Sequence, residues 1–409
     1  MTSLDLTGVL RPGDPEVPRG LATESGLRTR SAGELKEALI PHMADYGITR
    51  VAHLTGFDFL GLPVHMAMKP QGLSLSSGSG KGTTPEASWV SAFMECSEQA
   101  VWENLQLETI EATEHMLERM NLTFVRGDEL AQLKGAIWND RVIVPWVPGW
   151  DIVAGEEVLV PSPLVDVTAP SHTVTRPFVS GSNGLASGAH VLEATLSGLQ
   201  EVIERDGMTL NTLVTRRPRL NADALLAEQA PEVFERIERS GMSVRVLDAT
   251  CDDVGVPIVV AYLYDVPGGR TGVFKGAGAG TSARTAMVRA VTEAAQARCL
   301  IVAGARDDQF ESQRRAAQRS TSFPSAENSD VYTGGLDAGT GSVVGDLAWL
   351  VDRVVAAGFP RVIVIRHTEP DEPVQVVRVI VPGLEGYPFG YAQTGPRAAA
   401  WAKRHEEVA

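Results

Sequence analysis

The apolar and polar positions of this chain alternate between a helical and a strand period. Residues 31–46 place Leu35, Leu39 and Met43 on one side of a predicted helix. Residues 141–167 carry β-branched runs broken by Pro and Gly, which predict short strands and turns. Because the two patterns follow one another throughout, we expect an α/β fold with sheets covered by helices.

The same patterns predict most of the remaining elements. They are further helix over residues 100–135, a helix over 231–240 ended by Gly241, two strands within 244–266, a polar mobile loop or lid over 305–341, a helix over 346–358, and strands over 361–368 and 374–384. This alternation favours one compact body over a string of separate domains.

Three segments of the chain repeat one spacing. In each, a glycine in a predicted turn is followed 13 and 16 residues later by an acidic or amide pair inside an apolar helical run. An isolated pair is common on a solvated helix, but such faces have no reason to keep one offset from a turn. The repeat therefore predicts three copies of one loop-to-helix unit. The pairs are Glu95 and Glu98 after Gly82, Glu201 and Glu204 after Gly188, and Glu293 and Gln296 after Gly280.

The chemistry of these pairs indicates a metal site. Residues three apart share a helix face, so each pair presents two oxygen ligands in one direction. The flanking residues are apolar, which favours a cleft over a solvated face, and an uncompensated charge in a cleft is costly. If the three helices converge on one site, five carboxylates and one amide form the hard-oxygen environment that Mg²⁺ shares with substrate phosphates. We predict that the five glutamates bind the metal.

The Gly-rich segment before the first pair, SGSGKGTT, is not a P-loop. A P-loop needs Gly at the position of Leu75 and Ser or Thr at the position of Gly82. A Gly-rich turn before a helix can still direct backbone N–H groups at phosphate, with Lys81 supplying charge, although a plain tight turn is an equal alternative. The turn formed by Ser182, Asn183 and Gly184 allows the same two interpretations.

These segments resemble the successive sequence blocks of the YcaO superfamily, and motifs such as EVIERD and TEAAQAR are specific to it. The resemblance implies an enzyme that uses ATP and Mg²⁺ to phosphorylate a backbone amide oxygen of a ribosomally made peptide, so that a nucleophile can attack the amide carbon. The blocks are residues 77–98, 182–206 and 284–308, with flanking stretches 46–64 and 374–390. We accordingly expect an N-terminal extension and helix over 1–44, a YcaO-type catalytic domain over 45–397 and a tail over 398–409.

The resemblance also implies roles for individual residues. Asn183 lies in a block that belongs to the nucleotide site in the family, and Ser182 precedes it in the same turn. Arg205 and Arg289 match positions implicated in ATP binding, and a planar guanidinium suits phosphate. Phosphoryl transfer depends mainly on positioning and charge neutralisation, so we assign no general base. The predicted nucleotide contacts are Lys81, Ser182, Asn183, Arg205, Arg289 and Gln296.

The product stays open among an azoline, a thioamide and an amidine. Members that form azolines often end in a Pro-rich tail, whereas this chain ends GPRAAAWAKRHEEVA and carries no segment resembling an E1-like peptide-docking domain. The resemblance therefore favours stand-alone relatives, including those that install thioamides with a TfuA-type partner. The expected partners are a precursor peptide and a TfuA-like or E1-like protein, and a homodimer is a further possibility.

Bulk properties exclude several other classes. The net charge of −15 argues against nucleic acid as a partner. The first twenty residues contain no apolar signal-peptide stretch, and no apolar run is long enough for a membrane span, so we expect a cytosolic protein. The three cysteines, Cys96, Cys251 and Cys299, lack the spacing of a disulfide framework or a zinc site. Arg298 is expected to be an ion-pair partner.

A second hypothesis, from a different class, is a non-catalytic peptide-binding or scaffold protein with the same fold. A degenerate site is expected to lose some of its ligands, but all five predicted glutamates are present. Mg²⁺-dependent ATP consumption would discriminate the two hypotheses.

Overall fold

In the computed structural model, the described residues divide into two compact units. Unit 1 comprises residues 1–17, 101–214 and 347–409, and unit 2 comprises residues 18–100 and 215–346. The structure describes residues 3–17, 19–136, 138–166, 177–213, 219–265, 272–305, 310–319, 331–332, 337–386 and 392–406.

The described residues form ten α-helices and sixteen strands. The helices are α1 (Ala32–Leu39), α2 (Pro85–Glu103), α3 (Glu114–Arg119), α4 (Val191–Asn211), α5 (Ala222–Gln229), α6 (Pro231–Ser240), α7 (Ala283–Ala303), α8 (Glu311–Arg319), α9 (Val343–Ala356) and α10 (Pro396–Glu406). The strands are β1 (Leu21–Thr23), β2 (Gly26–Arg28), β3 (Arg50–His53), β4 (Val64–Met68), β5 (Ser77–Lys81), β6 (Ile110–Ala112), β7 (Val144–Asp151), β8 (Glu156–Pro161), β9 (Leu185–Gly188), β10 (Arg219–Leu220), β11 (Ser243–Asp248), β12 (Ile258–Tyr264), β13 (Val273–Ala279), β14 (Val331–Tyr332), β15 (Ile363–Arg366) and β16 (Gln375–Ile380).

Unit 1 is built on a six-stranded sheet in the order β6-β7-β15-β16-β9, with β8 paired to β7. Its strand pairs are antiparallel, and α4 packs on β16 and β9. The N-terminal residues 3–17 are held on this sheet by the side chain of Arg366 on β15. Its guanidinium contacts both carboxylate oxygens of Asp14 at 2.7 Å, and both side chains are almost fully buried.

Unit 2 contains two larger sheets among its described residues. One has five strands in the order β13-β12-β11-β10-β14, and the other has three in the order β3-β4-β5. Helix α7 packs along β13 and β12, and its buried alanines and valines form one core with α5, α6 and β11. Most faces of α7 are buried, because Ala286, Val288, Val291 and Ala294 are all less than 2% exposed.

The three predicted repeats are strand-loop-helix units: β5 with α2, β9 with α4, and β13 with α7. The glycine that sets each offset ends its strand or follows it by one residue, as Gly82, Gly188 and Gly280 do. The prediction of three equivalent loop-to-helix units is thus confirmed. The interpretation of SGSGKG and GAGAG as turns is wrong, because both segments lie mainly in strands.

Close packing of helix on strand explains why these strands contain glycine. A Cβ atom on Gly80 would lie 2.1 Å from the backbone of Ala92 in α2, and one on Gly276 would lie 2.2 Å from the carbonyl oxygen of Ala290 in α7. A Cβ atom on Gly188 would lie 2.7 Å from the backbone nitrogen of Ala194 in α4. Real Cβ atoms do not tolerate such distances, so glycine is needed for steric reasons rather than for a turn.

Most of the other predicted elements are confirmed. These are α6 with Gly241 in the left-handed conformation at its end, the strands β7, β8, β11, β12, β15 and β16, and the helix α9. Of the predicted loop or lid over 305–341, residues 306–309, 320–330 and 333–336 lie outside the described residues, and α8 lies within it. Among the described residues, no helix combines the length and apolar character that a membrane crossing requires.

Two helix predictions are corrected. The helix predicted over 31–46 ends at Leu39, and two single 3₁₀ turns follow, the first of which contains Pro41. Proline lacks the N–H that a continuing helix needs. The helix predicted over 100–135 is mostly wrong, because β6 pairs with β7 there and α3 is short. Asn121 has a φ of 54° just after α3, which ends the helical run.

We expect Gly80→Ala to destabilise the protein by about 1 to 3 kcal/mol, because the added methyl group forces β5 away from α2. The matched control is Gly33→Ala in α1, where no atom lies within 4 Å of the new Cβ position. This control should gain about 0.5 to 1 kcal/mol. Urea unfolding of both variants measures the difference, and equal stabilities would contradict the packing argument.

Candidate active site

In unit 2, the first and third repeats meet through alternate side chains of β5. Gly78 and Gly80 face α2, so Ser79 and Lys81 point to the opposite side. There the Gln296 side-chain amide donates to the Ser79 hydroxyl at 2.9 Å, and the Lys81 ammonium contacts the Glu293 carboxylate. Alternate residues of β5 thus contact residues three apart on α7. The four side chains of the two repeats form one polar cluster.

Glu293 bridges two strands of unit 2. One carboxylate oxygen contacts Lys81 on β5, and the other accepts from the backbone N–H of Ala277 at 3.3 Å. Strand β13 is an edge strand, so this N–H is available to a side chain. The Glu293 side chain remains 28% exposed, so a ligand from solvent can reach it.

The remaining predicted residues of unit 2 lie on the same two helices. Arg289, one turn before Glu293, donates to the carbonyl oxygen of Ala279 at the end of β13, 3.0 Å away. Glu95 and Glu98 lie on α2 and are half-buried among buried neighbours. The prediction that these acids avoid a fully solvated face is confirmed.

In unit 1, the second acidic pair lies on α4 beside a cation. The Arg205 guanidinium is 3.5 Å from the Glu201 carboxylate and 3.9 Å from that of Glu204. Sequence reasoning missed a further acid on this helix, Glu193, which is 5% exposed. Glu193 precedes Glu204 by eleven residues, three helical turns, so both lie on the same face. The interval of eleven residues from Glu193 to Glu204 is the sequence feature that indicates this additional acid.

The predicted turn at Ser182 and Asn183 precedes β9 in unit 1. Ser182 is exposed, whereas Oδ1 of Asn183 is buried and has no hydrogen-bond partner among the described residues. A buried acceptor without a donor is costly. The Arg378 guanidinium, which sequence reasoning missed, donates to the carbonyl oxygens of Gly181 and Asn183.

Buried charges anchor the end of α4 that follows the acidic pair. Asp206, 2% exposed, accepts from the Arg397 guanidinium at the start of α10 and from the backbone N–H of Glu385 at 2.9 Å. The Glu385 side chain accepts from the backbone N–H of Ala398. Burial raises the pKa of Glu385, against the lowering effect of backbone hydrogen bonds from Ala398 and Gly395 and of the charge of Arg397.

Arg298 is the ion-pair partner that the sequence predicted. Its fully buried side chain is 2.9 Å from Asp58 and 3.5 Å from Asp265, and it stacks on Phe59. All three cysteines are free and buried. Burial raises the pKa of the Cys299 thiol to about 12, with Asp58 adding to the effect, so this thiol is a poor nucleophile.

Taken singly, neither unit groups three or more His, Cys, Asp or Glu side chains in a way that could hold a metal ion, within the residues that the structure describes. In each unit a cation lies against the acids instead, Lys81 at Glu293 and Arg205 at Glu201. Each of these contacts offsets the negative charge of its carboxylate.

Comparison with known proteins agrees with this geometry. The family model described as YcaO cyclodehydratase, binding ATP and Mg²⁺, matches residues 79–385. This range begins in β5 and ends at Glu385, so it includes all three repeats. A protein of Rhizobium leguminosarum bv. trifolii, described as lying in the tfuA 3′ region, is 34% identical over 385 residues, covering 88% of this chain and 89% of the relative.

Solved structures show the same fold. YcaO from Methanopyrus kandleri, bound with AMPPCP and Mg²⁺, aligns with a TM-score of 0.67 at 24% identity and covers 90% of this chain and 95% of its own. A heterocyclase in complex with substrate and cofactor aligns with a TM-score of 0.72 at 19% identity. That alignment covers 97% of this chain but 58% of the heterocyclase. The predicted α/β fold is therefore confirmed.

We expect Arg397→Met to destabilise the protein by about 3 to 5 kcal/mol, because it leaves Asp206 buried without its charged partner. The double variant Arg397→Met, Asp206→Leu removes both charges and should recover only part of this loss, because it leaves the backbone N–H of Glu385 without its acceptor. Thermal unfolding of the two variants and the parent measures the difference. A double variant as unstable as the single one would show that the ion pair does not anchor α10 to α4.

Proposed function

The chain belongs to the YcaO family, and on this premise we propose that it phosphorylates a backbone amide oxygen of a peptide at the expense of ATP. The amide oxygen attacks the γ-phosphorus, and ADP leaves. A nucleophile then adds to the amide carbon, and the original oxygen leaves as inorganic phosphate. Activation of this kind is needed because an amide carbon is a poor electrophile.

The buried Oδ1 of Asn183 is the observation that carries the nucleotide proposal. It is an acceptor with no donor among the described residues, so it fits an amino or hydroxyl donor of a bound nucleotide. The exposed Ser182 beside it and the partly exposed Arg205 of the same unit fit the phosphates or ribose. In unit 2, Lys81, Arg289 and Gln296 would be further contacts to the nucleotide.

Carboxylate oxygens are the ligands that Mg²⁺ prefers, and the five glutamates of the repeat supply them. We propose that Glu95, Glu98 and Glu293 of unit 2 and Glu201 and Glu204 of unit 1 hold Mg²⁺ together with the phosphates. Bound Mg²⁺ would supply charge neutralisation on the phosphates. The cations Lys81 and Arg205, which lie against these acids, would then be free to contact phosphate.

In this proposal the chain's own residues position the reacting groups and neutralise their charge. The cluster of Ser79, Lys81, Glu293 and Gln296 is held on rigid elements, since its members lie on β5 and α7. Rigid placement lowers the barrier by fixing the reacting groups before the reaction. The phosphoryl transfer requires no general base, because the attacking atom is an amide oxygen that carries no proton.

The nucleophile that we propose is a sulfide equivalent, which gives a thioamide. This is supported by the relative from the tfuA 3′ region, which matches this chain over nearly its whole length. A TfuA-like protein would be the partner and residues 45–397 the catalytic domain. Sulfur enters at the amide carbon as phosphate leaves, so one oxygen is exchanged for one sulfur. An azoline or amidine would instead form with the loss of one water.

The test is mass analysis of a precursor peptide co-expressed with this chain and a TfuA-like partner. We expect the peptide to gain the mass difference between sulfur and oxygen. The double variant Glu201→Gln, Arg289→Ala should leave the peptide unmodified, because it loses a ligand charge and a phosphate contact. Its melting temperature without ligand should fall only modestly, because the variant loses the contact between Arg205 and Glu201 and the hydrogen bond from Arg289 to Ala279, both made by partly exposed side chains.

The matched control for that variant is Glu235→Gln, Arg239→Ala, an exposed acid–base pair on α6 with an N–O distance of 3.0 Å. It should process peptide like the parent. A peptide mass lower by one water would show that the product is an azoline or amidine and not a thioamide. Processing at the parental rate by the Glu201→Gln, Arg289→Ala variant would refute the proposed site. An unmodified peptide without ATP consumption would favour the scaffold hypothesis.

We expect nucleotide binding to require Mg²⁺. Without the metal, the carboxylates repel the triphosphate by about 1 kcal/mol per close charge pair even at the dielectric of water, and by more in a cleft. Calorimetry with AMPPCP should therefore show affinity in Mg²⁺ and its collapse in EDTA. Equal affinity under both conditions would contradict the proposed role of the glutamates.

A further inference from the structure

A buried arginine holds the loop that presents Asn183. Arg378 lies on β16 and is 1% exposed. One of its terminal nitrogens donates to the carbonyl oxygens of Gly181 at 2.7 Å and of Asn183 at 2.8 Å. These two carbonyls flank Ser182, so one guanidinium fixes the backbone on both sides of the exposed residue. Hydrogen bonds from a charged donor are stronger than those between neutral groups.

The surroundings of Arg378 restrict it to this arrangement. Its guanidinium carbon lies 5.3 Å from the centre of the Trp102 ring, a distance at which the cation is attracted to the ring. His367 follows the neighbouring strand, β15. Burial, with a further contribution from the charge of Arg378, lowers the pKa of His367 to about 3, so this ring is neutral at physiological pH.

The other end of the loop is locked to the next residue of the same strand. The carbonyl oxygen of Gly184 accepts from the backbone N–H of Val379 at 2.8 Å. Gly184 has a φ of +77°, and a Cβ atom there would lie 2.1 Å from the carbonyl oxygen of Val379. Two consecutive residues of β16 therefore fix the turn, one through its side chain and one through its backbone.

The fixed turn determines where the Asn183 side chain lies. Its Nδ2 lies against Gly386, 2.5 Å from the position that a Cβ atom there would occupy. The amide is thus confined between the loop and the segment after β16, and its buried Oδ1 is left for a ligand. A preorganised acceptor of this kind binds without a further cost of ordering.

We propose that Arg378 is a positioning residue of the nucleotide site. It acts through the carbonyl oxygens of Gly181 and Asn183 and does not touch the ligand itself. The proposal rests on the proposed function, in which Asn183 contacts the nucleotide. Loss of the guanidinium would release the turn, so that nucleotide binding would have to order the loop and affinity would fall.

The test measures the affinity of the full chain for Mg²⁺ with AMPPCP by calorimetry. Arg378→Met should weaken binding by about tenfold or more, and Arg378→Lys, which keeps a charged donor but not the planar fork, should recover part of the loss. The matched control is Arg366→Met, which removes another buried arginine from the neighbouring strand without touching the loop. It should lower stability and leave the affinity unchanged.

A double-mutant cycle separates positioning from mere stability. If Arg378 acts through Asn183, the variant Arg378→Met, Asn183→Ala should bind no more weakly than Asn183→Ala alone. Hydrogen exchange supplies a readout that does not involve nucleotide. In Arg378→Lys without ligand, the N–H of Leu185, which donates to the carbonyl oxygen of Ser182, should exchange faster than in the parent.

The outcomes distinguish this proposal from the proposed function. Parental affinity in Arg378→Met, together with parental exchange at Leu185 in Arg378→Lys, overturns the positioning role and leaves the nucleotide site intact. Additive losses in the double variant overturn the positioning of Asn183, because Arg378 would then act on affinity through another residue. Parental affinity in Asn183→Ala removes the nucleotide role of Asn183 itself, and the positioning proposal fails with it.

Discussion

The close approach of helix backbone to strand backbone is the constraint on which the rest of the structure depends. At Gly80, Gly188 and Gly276 a single Cβ atom would lie within 2.7 Å of main-chain atoms of the helix that follows the strand. Because the helix is drawn in at these points, its register relative to the strand is fixed within narrow limits. The acidic or amide pairs that follow Gly82, Gly188 and Gly280 at the shared intervals of 13 and 16 residues lie on the helices that pack in this way.

A strand that gives one face to a helix keeps the other face for chemistry. The glycines of β5 pack against α2. Ser79 and Lys81 point towards α7, where Ser79 contacts Gln296 and Lys81 contacts Glu293. The alternation of small and polar residues in SGSGK thus serves both packing and the polar cluster. Loss of the glycine face would move the polar face as well, so stability and site geometry are tied together in this strand.

The sequence could predict what depends on local spacing. Offsets from glycine located α2, α4 and α7, and the left-handed Gly241 ended α6, because helix period and cap residues are properties of neighbouring residues. The strand character of SGSGK could not be predicted, since glycine disfavours strands unless another backbone approaches, and that approach is a tertiary property. The roles of Arg378 and Arg397 were missed for a related reason. Their partners lie 195 and 191 residues earlier in the chain, beyond the reach of any periodicity.

The acids of the candidate site have cations beside them. Lys81 lies against Glu293 in unit 2, and Arg205 lies against Glu201 in unit 1, so two of the proposed metal ligands each have a cationic partner. In the proposed function, Mg²⁺ would be held by these carboxylates, and Lys81 and Arg205 would contact the phosphates. Each cation would then face an anionic phosphate, which would offset part of the repulsion between anionic ligands and a chain of net charge −15. By contrast, Arg378 and Arg397 keep backbone carbonyls and a buried carboxylate as partners, and these contacts suit residues that hold the framework in place.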